Sequence, residues 1–150
     1  MYVYQIATEN NFDDVTELAV RLYKSHDRKE LRELMRGILR NENDNRIFLC
    51  RDGGATVAFA HVALRHEYVE GTSGTSGGAV GYLEGIYVTP EYRNQGVARE
   101  LVAQCENWAR ENNCAEFASD CKLDNTDSLK FHLKIGFLEA GRNIHFKKRL

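Results

Sequence analysis

The sequence predicts an α/β fold carried on a mixed sheet, and three observations predict it. Segments of helical period alternate with runs of β-formers, in the order βαα, three strands, αβ, αβ and β. The chain has 150 residues, the size of one domain spanning 1–150. It holds one proline, Pro90, and no low-complexity linker. A chain of this length buries about 68–70% of its unfolded surface, enough for a core without metal or disulfide staples.

Residues 2–7 are rich in β-formers and read as a first strand. Phe12, Val15, Leu18, Ala19 and Leu22 recur at helical spacing, which predicts a helix over 12–24. Leu31, Leu34, Met35, Ile38 and Leu39 repeat the pattern in a second helix. Residues 46–51 are a strand, Asp52-Gly53-Gly54 a tight turn, and 55–65 a longer strand leading into His66-Glu67-Tyr68. Gly71 to Gly78 is Gly/Ser-rich, the composition of a mobile segment. It reads either as a long hairpin loop or as a loop beside a site. Residues 80–88 form the next strand, ended by Thr89-Pro90. Val97, Leu101, Val102, Cys105, Trp108 and Ala109 share one face of a helix running to about Asn112. Residues 115–119 are a short strand and 125–135 a helix capped by Gly136. Two final segments, 137–141 and 143–149, alternate like strands.

Composition excludes several function classes. Lys plus Arg number 20 and Asp plus Glu 22, a net charge of −2. Such a chain has no electrostatic footprint for nucleic acid and none for a membrane surface. No run approaches the roughly 18 apolar residues of a spanning helix, and Met1 to Gln5 lacks the features of a signal peptide. Cys50, Cys105, Cys114 and Cys121 form no CxxC pair, which points to reduced thiols and a cytoplasmic location. His61 and His66 are an odd number of residues apart, on opposite faces of a strand, so no metal pair is expected there. No other cluster has metal-ligand spacing, and no metal is expected.

The chemistry concentrates in Ile86 to Ala98, where a buried strand meets a helix through Arg93-x-x-Gly96-x-Ala98. The first turn of a helix has unpaired N–H groups and a positive dipole end, which suits phosphate. Gly96 lets the backbone approach a phosphate closely, Ala98 is small, and Arg93 adds charge. Neither GxxxxGK[ST] nor a GxGxxG after a strand competes with this reading. Downstream lies Asn125-x-x-Ser128-x-x-x-His132-x-x-x-Gly136-Phe137.

Together the two segments resemble the GNAT acetyltransferase superfamily, over about residues 2–148. The resemblance implies an acyl-CoA N-acyltransferase fold: a mixed central sheet with a V-shaped split, flanked by about four helices. It implies acetyl-CoA as co-substrate. Backbone groups of Ile86, Tyr87 and Val88 would pair with the pantetheine arm. Amides of Asn94, Gln95, Gly96, Val97, Ala98 and Arg99 would hold the pyrophosphate, and Asn125 would touch the coenzyme. The family often has Tyr where this chain has His132, a residue that protonates the leaving thiolate. The resemblance leaves open whether His132 does so or packs near the cofactor.

Three further segments, Arg65 to Gly71, Leu83 to Val88 and Ala118-Ser119-Asp120, resemble the aminoglycoside 6'-N-acetyltransferases, as does the closing Phe146-Lys147-Lys148-Arg149. That resemblance carries acceptor roles to Tyr23, Tyr68, Glu84 and Asp120, a resistance function and a homodimer. At Tyr23 the family often has Trp. One further acidic acceptor contact of the family falls on Gly141 here. The chemistry agrees, since an aminoglycoside is a polycation with sugar faces that calls for carboxylates and flat rings. Glu84 or Asp120 can take the amine's proton, clamp an ammonium, or both. Tyr68 can donate a hydroxyl to the thiolate or serve as a stacking wall. Cys121 has no activating base beside it in sequence, which favours direct attack in a ternary complex over a covalent carrier. A different amine acceptor, such as a polyamine or a protein N-terminus, and a non-catalytic acyl-CoA sensor are the alternatives.

Overall fold

The computed structural model describes residues 1–73 and 78–150. Five strands form one sheet in chain order: β1 (Tyr2–Ile6), β2 (Asn45–Asp52), β3 (Ala55–Arg65), β4 (Val80–Val88) and β5 (Phe117–Ser119). The first four pair antiparallel, and β5 runs parallel to β4, so the sheet is mixed as expected. The β2–β3 reversal turns through Gly53, at φ +59°, a conformation glycine adopts without a Cβ penalty.

Alternation along the inner strands sends side chains to two separate cores. Ile47, Leu49 and Phe59 pack under α1 (Phe12–Leu22) and α2 (Arg28–Arg40), with Val15, Leu18, Ala19, Met35 and Leu39. Phe48, Cys50, Ala58, Ala60, Val62 and Leu83 pack under α3 (Val97–Glu111), against Leu101, Val102, Cys105 and Trp108. The α3 face is the one the sequence periodicity marks. Residues of α4 (Thr126–Lys134) and the turn after it, including Phe131, Ile135 and Phe137, cover the same core. α3 approaches the sheet closely at Gly81, where a Cβ would lie 2.7 Å from Ala109 Cβ.

Exposed ion pairs Asp13–Arg32, Glu17–Arg28 and Glu9–Arg40 link α1 and its lead-in turn to α2. Each such pair contributes about 0–1 kcal/mol. Burial of side chains such as Leu18 and Met35 contributes about 1.5–3 kcal/mol apiece, so the apolar seam holds the two helices. Asp27 caps α2, its Oδ1 accepting from Glu30 N at 2.9 Å. All four cysteines are free, and burial pushes the Cys105 thiol pKa up, the state of an inert core residue.

The structure departs from the sequence reading by one residue at each end of β2 and of α4, and further elsewhere. The first strand stops at Ile6, and the first helix stops at Leu22 because Tyr23 turns to ψ 68°. The short strand before α4 is 117–119 rather than 115–119. The largest departure is at the end of the chain: residues 137–150 form no strand. They do alternate, but alternation only supplies an apolar face, and this segment pairs with neither open edge of the sheet, β1 or β5. Leu138, Ile144 and Phe146 are 89%, 81% and 90% exposed. Residues 74–77, and with them much of the expected Gly/Ser loop, lie outside the described residues.

His61 sits in the α1/α2 half of the molecule, 7% exposed, with Nε2 2.8 Å from Asn45 Oδ1. Burial pulls its pKa down from 6.5 to about 4, against the opposing pull of Glu84. The unfolded chain therefore binds this proton more readily between those two values. Stability from a neutral His61 is complete above pH 6.5 and is lost as pH falls toward 4. Urea unfolding of wild type and His61→Gln at pH 7 and about pH 4.5 should show wild type losing about 2 kcal/mol more than the variant. Equal losses would mean that His61 is solvated as in the open chain.

Candidate active site

β4 carries one residue that the sheet ladder skips. His61 pairs with Gly85 and the next β3 residue, Val62, pairs with Leu83, which leaves Glu84 as a bulge. A bulge shifts the phase of the alternation and re-aims the side chains beside it. Leu83 faces the α3 core, while Tyr87 joins the α1/α2 core. Glu84 and Gly85 consequently project on the α1 side together.

Gly85 is small for a visible reason: a Cβ there would lie 2.1 Å from the Tyr23 hydroxyl oxygen. The Tyr23 ring, at the C-terminus of α1, thus lies on the β4 backbone beside Glu84. Burial first, and the Glu84 charge second, raise the Tyr23 hydroxyl pKa to about 12, so it stays protonated as a donor.

Arg65, at the end of β3, grips Glu84 with both arms: Nε donates to Oε1 and Nη2 to Oε2, each at 2.9 Å. Its guanidinium lies 3.5 Å from the centroid of the Tyr82 ring. The Tyr82 hydroxyl in turn donates to Asp120 Oδ2, and burial first and this bond second push its pKa well up. Glu84, Arg65, Tyr82 and Asp120 therefore form one connected group. Tyr68 is not part of it. It is 65% exposed and makes no hydrogen bond or ring contact among the described residues.

β5 pairs with β4 only at Gly81, Tyr82 and Leu83. Beyond the Leu83–Ser119 pair the strands part, and Glu84 and Asp120 stand on either side of the fork. His132 reaches the same fork from α4. Its Nε2 lies 2.8 Å from Ser119 Oγ and its Nδ1 2.7 Å from the Ser128 carbonyl oxygen. Phe131 and Phe137 flank the ring at 5.7 Å and 5.1 Å between centroids. Only a protonated Nδ1 satisfies a carbonyl, so a neutral His132 accepts at Nε2 from the Ser119 hydroxyl. A charged His132 donates at both nitrogens, and Ser119 then gives its proton to the Leu83 carbonyl 3.2 Å away. The unit has two self-consistent states that differ by one proton.

The segment expected to cradle phosphate lies at the other end of β4. Gly96 takes φ +84° as the residue before α3, and no side chain caps this helix. Nothing lies within 4 Å of where a Gly96 Cβ would stand. An uncapped first turn facing open space is what an anionic group at this position requires. Asn94 also turns left-handed, at φ 60°. Val97 is buried, Ala98 packs on the α3 core, and Arg99 is exposed. Gln95 is braced by the Tyr2 hydroxyl and by its own bond to the Glu91 carbonyl at 2.9 Å. Arg93 turns back instead of forward, its Nε donating to the Val88 carbonyl at 2.9 Å. Asn125 caps α4, its Oδ1 accepting from Ser128 N at 3.1 Å. Among the described residues no group of three or more His, Cys, Asp or Glu side chains is arranged to hold a metal ion.

Arg65, Tyr82 and Ser119 were not singled out by the sequence. Tyr82 had a signal, lying two residues before Glu84 on a strand and hence on the same side. Arg65 and Ser119 lay inside motif segments, but only the three-dimensional pairing gives them partners.

A forked mixed sheet beside an uncapped helix start defines the class of acyl-CoA-dependent N-acyltransferases. The chain belongs to the acetyltransferase (GNAT) family, whose sequence profile matches residues 12–137. Aminoglycoside N(6')-acetyltransferase type 1 of Acinetobacter genomosp. 13 is 38% identical over 143 residues, 95% of each chain. The solved structure of AAC(6')-Iy in complex with the bisubstrate analog CoA-S-monomethyl-acetylneamine superposes with a TM-score of 0.91 at 31% identity, covering 100% of this chain and 99% of that one. Aminoglycoside 6'-N-acetyltransferase AAC(6')-Ih from Acinetobacter baumannii superposes at 0.89 with 37% identity, covering 100% and 99%.

Proposed function

We infer that the protein is an acetyltransferase that moves the acetyl group of acetyl-CoA to the 6'-amine of aminoglycoside antibiotics, an activity that gives resistance to them. The observation that carries this reading is the placement of Glu84 and Asp120 at the fork of a sheet whose β4 leads into the open, uncapped start of α3. Relatives across the whole chain length bear that activity in their names, and one is solved with a coenzyme A–neamine analog.

The site residues have the following roles in this proposal. Amides of Asn94 to Arg99 hold the pyrophosphate, with Arg93 bracing the end of β4. Backbone groups of Ile86, Tyr87 and Val88 pair with the pantetheine arm along the β4 edge that β5 leaves free. Asn125 offers its Nδ2 to the coenzyme, its Oδ1 being held by α4. Glu84 accepts the proton of the attacking amine, directly or through one water. Asp120 holds an ammonium, oriented by the Tyr82 hydroxyl. Tyr23 is the wall against which a sugar face packs, and Tyr68 is an exposed ring at the rim.

The amine lone pair adds to the acetyl carbonyl carbon, the C–S bond breaks, and the thiolate takes a proton. His132 supplies that proton through Ser119. Cys121 is exposed and its Sγ donates to the Asn125 carbonyl oxygen at 4.0 Å, which is not a base, and this supports direct attack within one ternary complex. The test is thiol release from acetyl-CoA with kanamycin, spermine or a peptide as acceptor. Release with kanamycin alone supports the reading. Release with spermine or peptide alone, or coenzyme binding without release, would sink it.

We further propose that the chain acts as a single-domain homodimer in the cytoplasm. Exposed Leu138, Ile144 and Phe146 supply an apolar stripe with strand spacing, and β5 is an edge strand. Pairing between two copies would satisfy both. Free thiols agree with a reducing compartment, and among the described residues no helix is long and apolar enough to cross a membrane. Sedimentation should give about twice the 17.1 kDa chain mass, and Phe146→Asp should shift it to monomer. A monomeric wild type would overturn the proposal.

A further inference from the structure

Arg65 is the one cation in the acceptor group, and it sits where a cationic acceptor has to bind. Its bidentate grip occupies both oxygens of Glu84. Its flat guanidinium covers a face of the Tyr82 ring at 3.5 Å. The ring is held in place at its far end by the bond to Asp120. A positive donor on a carboxylate, joined to a flat surface on an aromatic face, is also what an amino sugar presents when its ammonium meets an acid and its ring packs on an aromatic.

The surroundings allow Arg65 to move. Its side chain is 42% exposed and that of Glu84 25%, so solvent reaches the pair. A pair open to solvent is within reach of a polycation that brings several ammonium groups. The guanidinium also neutralises the Glu84 charge, which makes the carboxylate a weaker proton acceptor for the amine while the two are paired.

We propose that Arg65 is a built-in surrogate for the acceptor: it occupies Glu84 and Tyr82 in the free protein and swings off both when the amino sugar binds. Binding is then an exchange of one cation for another. The exchange weakens apparent affinity for every cationic acceptor, and it uncovers a stacking face on Tyr82. This rests on the reading of Glu84 as an acceptor contact.

Arg65→Gln removes the charge and the fork and leaves a shorter polar side chain in their place. Its KM for kanamycin should fall about fivefold at low salt, an effect of roughly one exposed ion pair. KM for acetyl-CoA should not change. Raising the salt should increase the variant's kanamycin KM more steeply than that of wild type, because in the variant an unneutralised carboxylate attracts the polycation. Calorimetric titration of kanamycin into the protein without acetyl-CoA should show the same gain in affinity. Arg65→Lys keeps the charge but loses the fork and the flat stacking face, so its KM should fall between the two. It also provides the comparison if Arg65→Gln folds poorly.

An unchanged or higher kanamycin KM in Arg65→Gln, with acetyl-CoA KM intact, would overturn the proposal and leave Arg65 as a residue that positions Glu84. Wild-type KM and kcat in Glu84→Gln would instead sink the reading of Glu84 itself. The two failures are thus distinguishable.

Discussion

Glu84→Gln is expected to lower kcat/KM for kanamycin by about 10²–10⁴-fold, the range of a lost general base. The substitution keeps the size of the side chain and one acceptor for Arg65, so the fold should be unaffected. The bulge is a property of the β3–β4 register and does not depend on the carboxylate. KM for acetyl-CoA should stay within about twofold, because the cradle lies at the opposite end of β4. The measurement is steady-state thiol release with each substrate varied in turn. A rise confined to kanamycin KM, with kcat intact, would assign Glu84 to clamping the ammonium and remove it from proton transfer. An unaltered rate would remove it from the site.

Gly96→Val is expected to raise the KM for acetyl-CoA at least tenfold. Gly96 stands at φ +84°, a conformation that costs an L-residue about 1–2 kcal/mol and a β-branched one more. The added side chain would also enter the open space in front of α3, where the pyrophosphate is proposed to lie. The two effects separate experimentally. Strain lowers the melting temperature, while occlusion raises the coenzyme KM. Gly96→Ala serves as the control, with most of the strain and little of the bulk. If Gly96→Val bound acetyl-CoA as wild type does, the first turn of α3 would not be the phosphate site.

The order of elements and the α3 face were legible in the sequence because each depends on local periodicity that a buried surface enforces. Val97, Leu101, Val102, Cys105, Trp108 and Ala109 recur at helical spacing, and all six are buried. The C-terminal strands failed because 137–149 has the right alternation but pairs with neither open edge of the sheet, and pairing is not encoded in one segment alone. Among the candidate site residues, Glu84, Asp120 and Tyr23 lie near one another, through Arg65 and Tyr82. Tyr68 does not join them, and its sequence position after a strand could not say which way it turns. Arg65 was invisible as a functional group because a strand-end arginine has no pattern. Its meaning comes from a bidentate contact with a residue 19 positions away. The Ser119–His132 relay likewise spans 13 positions across two elements.

The bulge at Glu84 separates what the fold requires from what the chemistry requires. The hydrogen-bonded ladder passes from Gly85 to Leu83 opposite consecutive residues of β3, so the sheet is complete without counting Glu84. The proposed base occupies the one place on β4 where a residue is surplus to the architecture. Selection can therefore vary the identity of this position without reopening the question of how the sheet pairs. A relative with another acceptor, or none, can keep the scaffold and change a single letter.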